Sequence, residues 1–349
     1  MKKINLIKII VVLMFLTFLC GCWNVNEINQ RALPLAIGIS KENEEEFKVT
    51  LYIPVTSVEG KTRIVTEKGE SVSSVLGRMR TNSEGALDYS KIQFIVIQNH
   101  LANNNQEWSK LIKYLMKSRE IPSIALLAIT EDDIEKMFAI INEKKGFRAT
   151  SIYDYFYKGA GWAPEFSITR VWEVYRSLFS YTKDIAVPVV KSGKDTVFIF
   201  EDLAVLKNGK ITGRISPSEN LLVNLFQNRN ARGQNESLGF ASIRVINSSL
   251  QIRPSMKNNE PLVSSDLNVK IDILEREEGV TNSRILKELE KLMEKRFNDM
   301  FEQAQRNKTD IFGFGQHFRH QIPYHELKDW REEYYPKLKV NFQVHVSME

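Results

Sequence analysis

The first half of the chain alternates short apolar segments with segments whose apolar residues recur at helical spacing. The short segments have the length and the β-branched content of strands. Between them, apolar residues three and four positions apart predict helices with one buried face. Strands are predicted at 33–39, 47–55, 92–97 and 124–129, and helices at 71–79, at 107–117 and in the segment that carries Ile134, Phe138 and Ile141. A charged turn over residues 41–46 predicts that the first two strands form a hairpin.

The second half continues this mixed pattern and adds a much longer helix. Asn208-Gly209 is a strong signal for a tight hairpin turn. A continuous apolar stripe over 283–305 predicts the longest helix of the chain, and strict alternation over 340–346 predicts a half-buried strand. Further strands are predicted at 196–200, 203–206, 210–215, 241–246 and 269–274, and a short helix at 218–226.

This order of strands and helices predicts an α+β fold (mixed α/β) in which each sheet has helices packed against it. The polar stretch from 228 to 237 predicts a linker or an exposed loop. We therefore expect three domains: an N-terminal α/β domain over 22–194, a small β-rich middle domain over 195–237, and a C-terminal α/β domain with a long helix over 238–349.

The first 21 residues have the pattern of an export signal. Three lysines lie within the first eight residues, and an apolar run that contains a single threonine, Thr17, follows over 9–19. As a helix this run is about 16 Å long, which is too short to cross a bilayer comfortably but typical of a signal peptide. The segment Leu19-Cys20-Gly21-Cys22 resembles the lipobox of bacterial lipoprotein precursors, and Cys22 is the predicted lipidated residue. A plain secretory signal and an uncleaved anchor are the alternatives.

Cysteine content and charge narrow the possible functions. The chain has two cysteines, and the predicted cleavage and lipidation would leave no free thiol in the mature protein. A disulfide framework, a thiol nucleophile and a cysteine-ligated metal site are therefore not expected. Of the 48 lysines and arginines, three lie in the signal, which leaves 45 against 43 acidic residues and a net charge of +2. This balance gives no indication of nucleic-acid binding.

Three histidines near the C-terminus are the best candidates for a metal site. His317 and His320 could share one helix face, and a third ligand could complete the site. However, the segment that starts at His325 lacks the second histidine of the HExxH motif. We therefore expect these histidines to be polar surface residues or hydrogen-bonded structural residues, and we expect no metal and no other cofactor.

Other candidate motifs also favour structural roles. Phe312-Gly313-Phe314-Gly315 lacks the remaining residues of a phosphate-binding loop, so its glycines are expected to allow unusual backbone angles while the phenylalanines pack inward. No G-x-S-x-G sequence occurs, and nothing around His100 indicates a nucleophile. The acidic run Glu131-Asp132-Asp133 fits a helix start, with Thr130 as the predicted capping residue and Asp133 completing a capping box. The sequence thus gives no support for catalysis.

The segment that begins Gly21-Cys22-Trp23 and several later segments, taken in order, resemble the Ger(x)C family, the C-subunit lipoproteins of spore germinant receptors. Gly21-Cys22-Trp23-Asn24, followed by Glu27-Ile28, is similar to the family's opening motif, although Asn24 stands where Asp is common. The strand 35–39, the segment 90–97 and the hairpin 203–210 match further family patterns.

The strongest resemblance lies near the C-terminus. Residues 309–315, then Phe318-Arg319, Trp330 and Tyr335-Pro336, and finally the strand 340–346, follow the family pattern in order and spacing. The matching segments extend across essentially the whole mature chain.

This resemblance implies a non-enzymatic subunit of three α/β domains on the outer face of the spore inner membrane. Its partners would be the membrane, through the lipid anchor, and two integral-membrane subunits of A and B type. The receptor would respond to small nutrients and thereby start spore germination. Cys22 is the one functional position carried over, as an S-diacylglycerol and N-acyl cysteine.

The alternative function is that of a substrate-binding lipoprotein of a transporter. Such proteins have two similar lobes, whereas the modules predicted here are unequal and form no regular βαβ series. An enzyme is the third possibility, and no catalytic constellation supports it.

Overall fold

The computed structural model describes residues 31–55, 62–143, 152, 155, 167–227, 229 and 231–349. The predicted signal, Cys22 and the opening motif lie outside the described residues. The described strands are β1 Arg31–Ala32, β2 Ala36–Lys41, β3 Phe47–Pro54, β4 Thr62–Gly69, β5 Ala86–Leu87, β6 Phe94–Gln98, β7 Leu126–Thr130, β8 Ile185–Ser192, β9 Phe198–Lys207, β10 Lys210–Ile215, β11 Asn235–Ser237, β12 Ala241–Lys257, β13 Glu260–Arg276 and β14 Lys339–Met348.

Five described helices agree closely with the predicted ones, whereas Asn99–Asn103 and Val171–Phe179 were not predicted. The helices discussed below are α1 Val72–Asn82, α2 Asn99–Asn103, α3 Asn105–Lys117, α4 Ile134–Glu143, α5 Val171–Phe179, α6 Asn220–Phe226 and α7 Asn282–Arg306. The α+β fold class is confirmed, since helices pack against both larger sheets.

The larger sheet has eight strands in the order β10-β9-β8-β7-β6-β2-β3-β4. Its four central strands β8, β7, β6 and β2 are parallel, and the outer pairs are antiparallel. Helices α1, α3 and α5 cover one face, and α4 covers the other. Because both faces are covered, β6 is apolar from Phe94 to Ile97, and these four residues are fully buried.

The hairpin assigned to a middle domain continues this sheet. β9 pairs with β8 in antiparallel register, Ile185 opposite Leu206, and β10 then pairs with β9. Asn208 and Gly209 both have positive φ, as the predicted tight turn requires. The eight-stranded sheet therefore includes strands on both sides of residue 194, because the β9–β10 hairpin forms its backbone hydrogen bonds with β8. The three-domain division stays a prediction.

The second sheet has four strands in the order β11-β12-β13-β14. β12 and β13 form a hairpin of two 17-residue strands, and β14 lies parallel to β13. Helix α7 packs its predicted stripe against this sheet, including Ile285, Leu289 and Phe297. Leu292 is the one member of the predicted stripe that is only half-buried.

Three local predictions were wrong. Residues 228–237 were predicted to be a linker or an exposed loop, but their described part includes β11 and buries Ala231, Gln234 and Glu236. The strands predicted at 241–246 and 269–274 are much longer, because each continues into the distal part of the hairpin, where Val263 and Leu267 are buried in the core and Leu250 and Ile252 pack against it. The helix after β7 is capped by Asp133, whose carboxylate accepts the Lys136 amide at 2.9 Å. Thr130 instead accepts the Asp132 amide at 3.2 Å, one turn too early to cap α4.

Candidate functional site

A buried group of charged side chains lies where the start of β8 meets the segment that follows α7. Asp310, four residues after α7, is completely buried. Its carboxylate accepts the backbone amides of Phe314 and Gly315 at 2.9 and 2.8 Å and the indole N–H of Trp330 at 2.9 Å. Because all three donors bind one carboxylate, the segment 310–330 folds around the Asp310 side chain.

A buried ion pair completes this junction. Arg331 donates to both carboxylate oxygens of Asp184, at 2.6 and 3.0 Å, and also to the Ser180 carbonyl at 2.7 Å. The side chains of Arg331 and Asp184 are 6% and 0% exposed. Because the two side chains share two hydrogen bonds and are shielded from water, the pair fixes the distance and the relative orientation of the two segments that carry Asp184 and Arg331.

Backbone hydrogen bonds join the two carboxylate-bearing segments directly. The Asp184 amide donates to the Asp310 carbonyl at 2.8 Å, and the Asp310 amide donates to the Asp184 carboxylate at 2.8 Å. Asp184 immediately precedes β8 of the eight-stranded sheet, whereas Asp310 follows the helix that covers the four-stranded sheet. The junction therefore ties the two sheets to each other. We refer to Asp184, Asp310, Trp330 and Arg331 as the junction.

The glycines of the 312–315 motif serve this junction. Gly313 has φ +72°, a conformation that favours glycine. A Cβ on Gly315 would lie 2.6 Å from Trp330 Nε1 and 2.8 Å from Thr182 Cβ. Phe312 and Phe314 are buried and pack against Phe297 of α7. The predicted structural role of this motif is confirmed.

Burial controls the ionisation of the junction. It raises the pKa of Asp310 to about 6, with the nearby Asp184 adding to the rise and the three N–H donors opposing it. Burial also raises the pKa of Asp184, and Arg331 counteracts that rise. Every oxygen of these carboxylates is engaged by a donor, and both groups are shielded from solvent. Their arrangement suits a structural connection and leaves no oxygen directed at a substrate.

A pocket of about 640 Å³ opens beside the junction, between α5 and the segment that follows Gly315. Lys183, Arg176 and Arg319 are among its lining residues. The hydrocarbon part of Lys183 packs over Gly313, and burial together with Arg176 lowers the pKa of its ammonium group. Within the described residues, no carboxylate lies at ion-pair distance from Lys183. The pocket therefore has the chemistry of an anion-binding site.

The predicted site residues lie in different places. Cys22 is outside the described residues. His317 borders the pocket region, and its pKa is lowered by partial burial and by Lys183. His320 is exposed, and His325 is 80% exposed beside Glu326. Across the described ranges, no group of three or more His, Cys, Asp or Glu side chains is placed to hold a metal ion.

The remaining candidates occupy the opposite end of the parallel strands. His100 lies in α2, after β6, and burial lowers its pKa. Glu131 pairs with Arg214 at 3.2 Å, and Asp132 accepts the Ser192 amide at 2.7 Å. These contacts hold β7, β8 and β10 together at their ends and are structural.

Sequence reasoning missed Asp184 and Lys183. Neither belongs to a motif, and they become important only because the fold places residue 310 against residue 184. In the part of the chain that the structure describes, no helix is both long and apolar enough to cross a membrane.

Two family models match the chain. The model described as the spore germination protein N-terminal domain matches residues 24–192. The model described as spore germination B3/GerAC like, C-terminal, matches residues 201–349. The first match ends with β8 and the second begins within β9, and these two strands are paired in the sheet.

Individual proteins agree with these models. The spore germination protein GerQC of Bacillus cereus is 21% identical over 341 residues, covering 93% of each chain. Spore germination protein KC of Bacillus subtilis (strain 168) is 20% identical over 379 residues, covering 95% of this chain and 92% of its own. The crystal structure of the GerBC protein has a TM-score of 0.56 at 15% identity, covering 89% of this chain and 96% of its own, so the fold is shared.

Proposed function

Since this chain belongs to the Ger(x)C family of spore germination proteins, we propose that it is the lipid-anchored C subunit of a nutrient germinant receptor. In this role it is a non-enzymatic subunit that works through contacts with other proteins. The observation that carries the proposal is the match of the two germination-family models along almost the whole described chain.

The junction supports a coupling role. A subunit that passes a signal between partners needs its parts held in a fixed relation, and a buried two-point ion pair with crossed backbone bonds provides this. The same carboxylates are saturated with donors, which fits a structural protein better than an enzyme. The two larger sheets have eight and four strands, so the described residues do not form the two similar lobes of a transporter's substrate-binding lipoprotein.

The membrane is proposed to hold this subunit through Cys22. Each CH₂ of an attached acyl chain contributes about 0.8 kcal/mol on insertion, so the two or three chains of a bacterial lipoprotein anchor it stably. Anchoring also restricts the protein to the membrane plane and raises its effective concentration near membrane partners. We propose these partners to be an A-type subunit and a permease-like B-type subunit, at the outer face of the spore inner membrane.

Substitution of Cys22 tests the proposal. Cys22→Ala should abolish labelling by radioactive palmitate and should slow nutrient-triggered germination of spores that carry it as the sole copy. Cys20→Ala is the matched control, because Cys20 is expected to leave with the signal, and it should change neither readout. A Cys22→Ala protein that carries no lipid and yet supports normal germination would refute the role of the anchor.

Ligand binding separates the receptor subunit from the transporter protein. If the purified lipid-free chain bound a nutrient directly and its gene lay beside that of an ABC-type ATPase, the transporter function would replace the proposed one. Adjacent genes for two multi-span membrane proteins, one of them permease-like, would support the receptor.

A further inference from the structure

One end of the eight-stranded sheet carries exposed aromatic and basic side chains. We infer that this end rests on the membrane surface, with the basic pocket receiving phosphate groups of anionic lipids. We call it the basal face and define it by Ile124, Trp172, Arg176, Phe179, Tyr181 and Lys183. The inference rests on the proposed lipid anchor, and it adds an orientation and a lipid-binding site.

Large apolar side chains are exposed on the basal face. Ile124, just before β7, is 68% exposed, and Phe179 and Tyr181, just before β8, are 55% and 46% exposed. The Arg176 guanidinium lies 5.1 Å from the Trp172 ring, and Lys113 lies 5.6 Å from the Phe179 ring. Aromatic rings combined with lysine and arginine are typical of protein surfaces at the membrane interface.

The charge of this face is positive because its acidic groups are already paired. Glu173 forms an ion pair with Arg229 at 3.3 Å, and Asp184 forms an ion pair with Arg331 at 2.6 Å. Lys183, Arg176 and Arg319 line the pocket without a carboxylate partner within the described residues. Basic side chains close to a bilayer are attracted to anionic headgroups, and the attraction falls away within a Debye length.

The path of the chain places the anchor at the same end. Backbone hydrogen bonds of 2.8 Å join Gln93 to Leu35 and Leu126 to Gln93, so the starts of β2, β6 and β7 lie side by side. The Trp172 amide then donates to the Ser123 carbonyl at 3.1 Å, which connects this row to α5. The segment leading to Cys22 therefore joins the sheet at the end that carries the basal face.

The length of the tether is compatible with this orientation. Cys22 precedes Arg31 by nine residues, which span at most about 30 Å when extended. The starts of β2 and β8 are three strand spacings apart, or about 14 Å. A tether this short keeps the end that carries Arg31 close to the bilayer, and the opposite end of the strands faces away.

Vesicle binding by the lipid-free chain from residue 23 onward tests this orientation, since that chain retains every described residue and contains no cysteine. A single cysteine is introduced by Phe179→Cys on the basal face or by Ile199→Cys as the control, and each is labelled with a polarity-sensitive dye. Ile199 is 41% exposed and pairs with Lys191, six residues along β8 from its start. Vesicles contain either phosphatidylcholine alone or a mixture with 30% phosphatidylglycerol.

We expect a blue shift of the Phe179→Cys dye with the anionic vesicles and none with the Ile199→Cys dye. The Arg176→Gln/Lys183→Gln protein should bind anionic vesicles more weakly by about fivefold for each charge removed. The control Lys257→Gln/Lys295→Gln, which removes two exposed lysines, should bind as the parent does. Free glycerol phosphate at millimolar concentration should not displace the vesicle-bound protein, because the apolar side chains add a contact that it lacks.

Several results would overturn the inference. The first is equal affinity for both vesicle types, and the second is an equal spectral shift of the dye at positions 179 and 199. The others are an equal loss of vesicle affinity in both double variants and displacement of the vesicle-bound protein by glycerol phosphate. Absence of vesicle binding together with binding to an acidic polypeptide would assign the face to a protein partner instead. Because the chain used carries no lipid, any of these outcomes leaves the Cys22 experiment and the receptor role untouched.

Discussion

The buried ion pair between Asp184 and Arg331 makes a quantitative prediction about how the two sheets are joined. Arg331→Met keeps the hydrocarbon volume of the side chain but removes four hydrogen bonds, two to Asp184 and one each to the carbonyls of Ser180 and Lys183. Asp184 is 0% exposed, so water cannot replace the lost donor.

The expected loss follows from that burial. Removing one partner of a buried pair leaves an uncompensated charge and typically costs about 3–5 kcal/mol of unfolding free energy. An exposed pair offers the matched control: Lys339 and Glu260 are also in contact, at 2.9 Å, but are 71% and 49% exposed. Lys339→Met should change stability by less than about 1 kcal/mol.

Urea unfolding of the lipid-free chain, followed by tryptophan fluorescence, measures both variants. Adding Asp184→Asn to Arg331→Met should restore part of the lost stability, because no unpaired charge then remains buried. The Arg331→Met loss should also shrink as the pH falls from 7 to 4. Without Arg331 the pKa of Asp184 in the folded state lies further above its unfolded value, so the folded protein takes up the proton first. A loss below about 1 kcal/mol for Arg331→Met would refute this reasoning.

Further expectations concern the motif and the core beside the junction. Gly315→Ala should destabilise the protein by about 1–3 kcal/mol, since its Cβ would clash with Trp330. Gly77→Ala in α1, where nothing lies within 4 Å of the added Cβ, should stabilise the protein by about 0.5–1 kcal/mol. Thermal unfolding compares the two variants. Phe297→Ala should lower the unfolding free energy by about 3–5 kcal/mol, because five other phenylalanine rings surround Phe297. Tyr324→Ala, at a residue that is 82% exposed, should leave the unfolding free energy almost unchanged in the same urea titration. Because the pKa of Asp310 is raised from 3.8 to about 6 in the folded state, the unfolding free energy should fall by up to about 3 kcal/mol as the pH rises from 4 to 7, and a fall that is unchanged in Asp310→Asn would exclude this group as its source.

Much of the secondary structure could be predicted because burial imposes clear periods on the sequence. The stripe of α7 and the continuous apolar run of β6 each have one dominant environment, and their predicted positions agree with the structure. The turn at Asn208-Gly209 was predictable for a different reason, since few residues other than Asn and Gly adopt positive φ at both positions.

The connections between elements were harder to predict. The boundary predicted at residue 194 rested on a β-rich segment that begins near residue 195. Pairing of this segment with β8 depends on backbone hydrogen bonds, which the side-chain pattern does not reveal. The distal half of the β12–β13 hairpin was also hard to predict, because its buried face alternates apolar residues such as Val263 and Leu267 with the polar Ser265.

The junction was only half visible in the sequence. Residues 309–315 and Trp330 were recognised from family resemblance, which indicated that they matter without giving their contacts. Asp184 has no neighbouring motif, and its importance comes from a partner 147 residues away. Contacts between distant segments of this kind follow from the assembled fold and not from local spacing.

Purification of the membrane complex tests the receptor role most directly. An affinity tag on the C-terminus, solubilisation of spore inner membranes in mild detergent and mass spectrometry would identify the proteins bound to this chain. We expect two multi-span membrane proteins, an A-type and a permease-like B-type subunit, in constant ratio to it. Both proteins should be missing from the complex purified in the same way from the Cys22→Ala strain. Recovery of the chain alone, or with an ABC-type transporter, would contradict its assignment as a germinant receptor subunit.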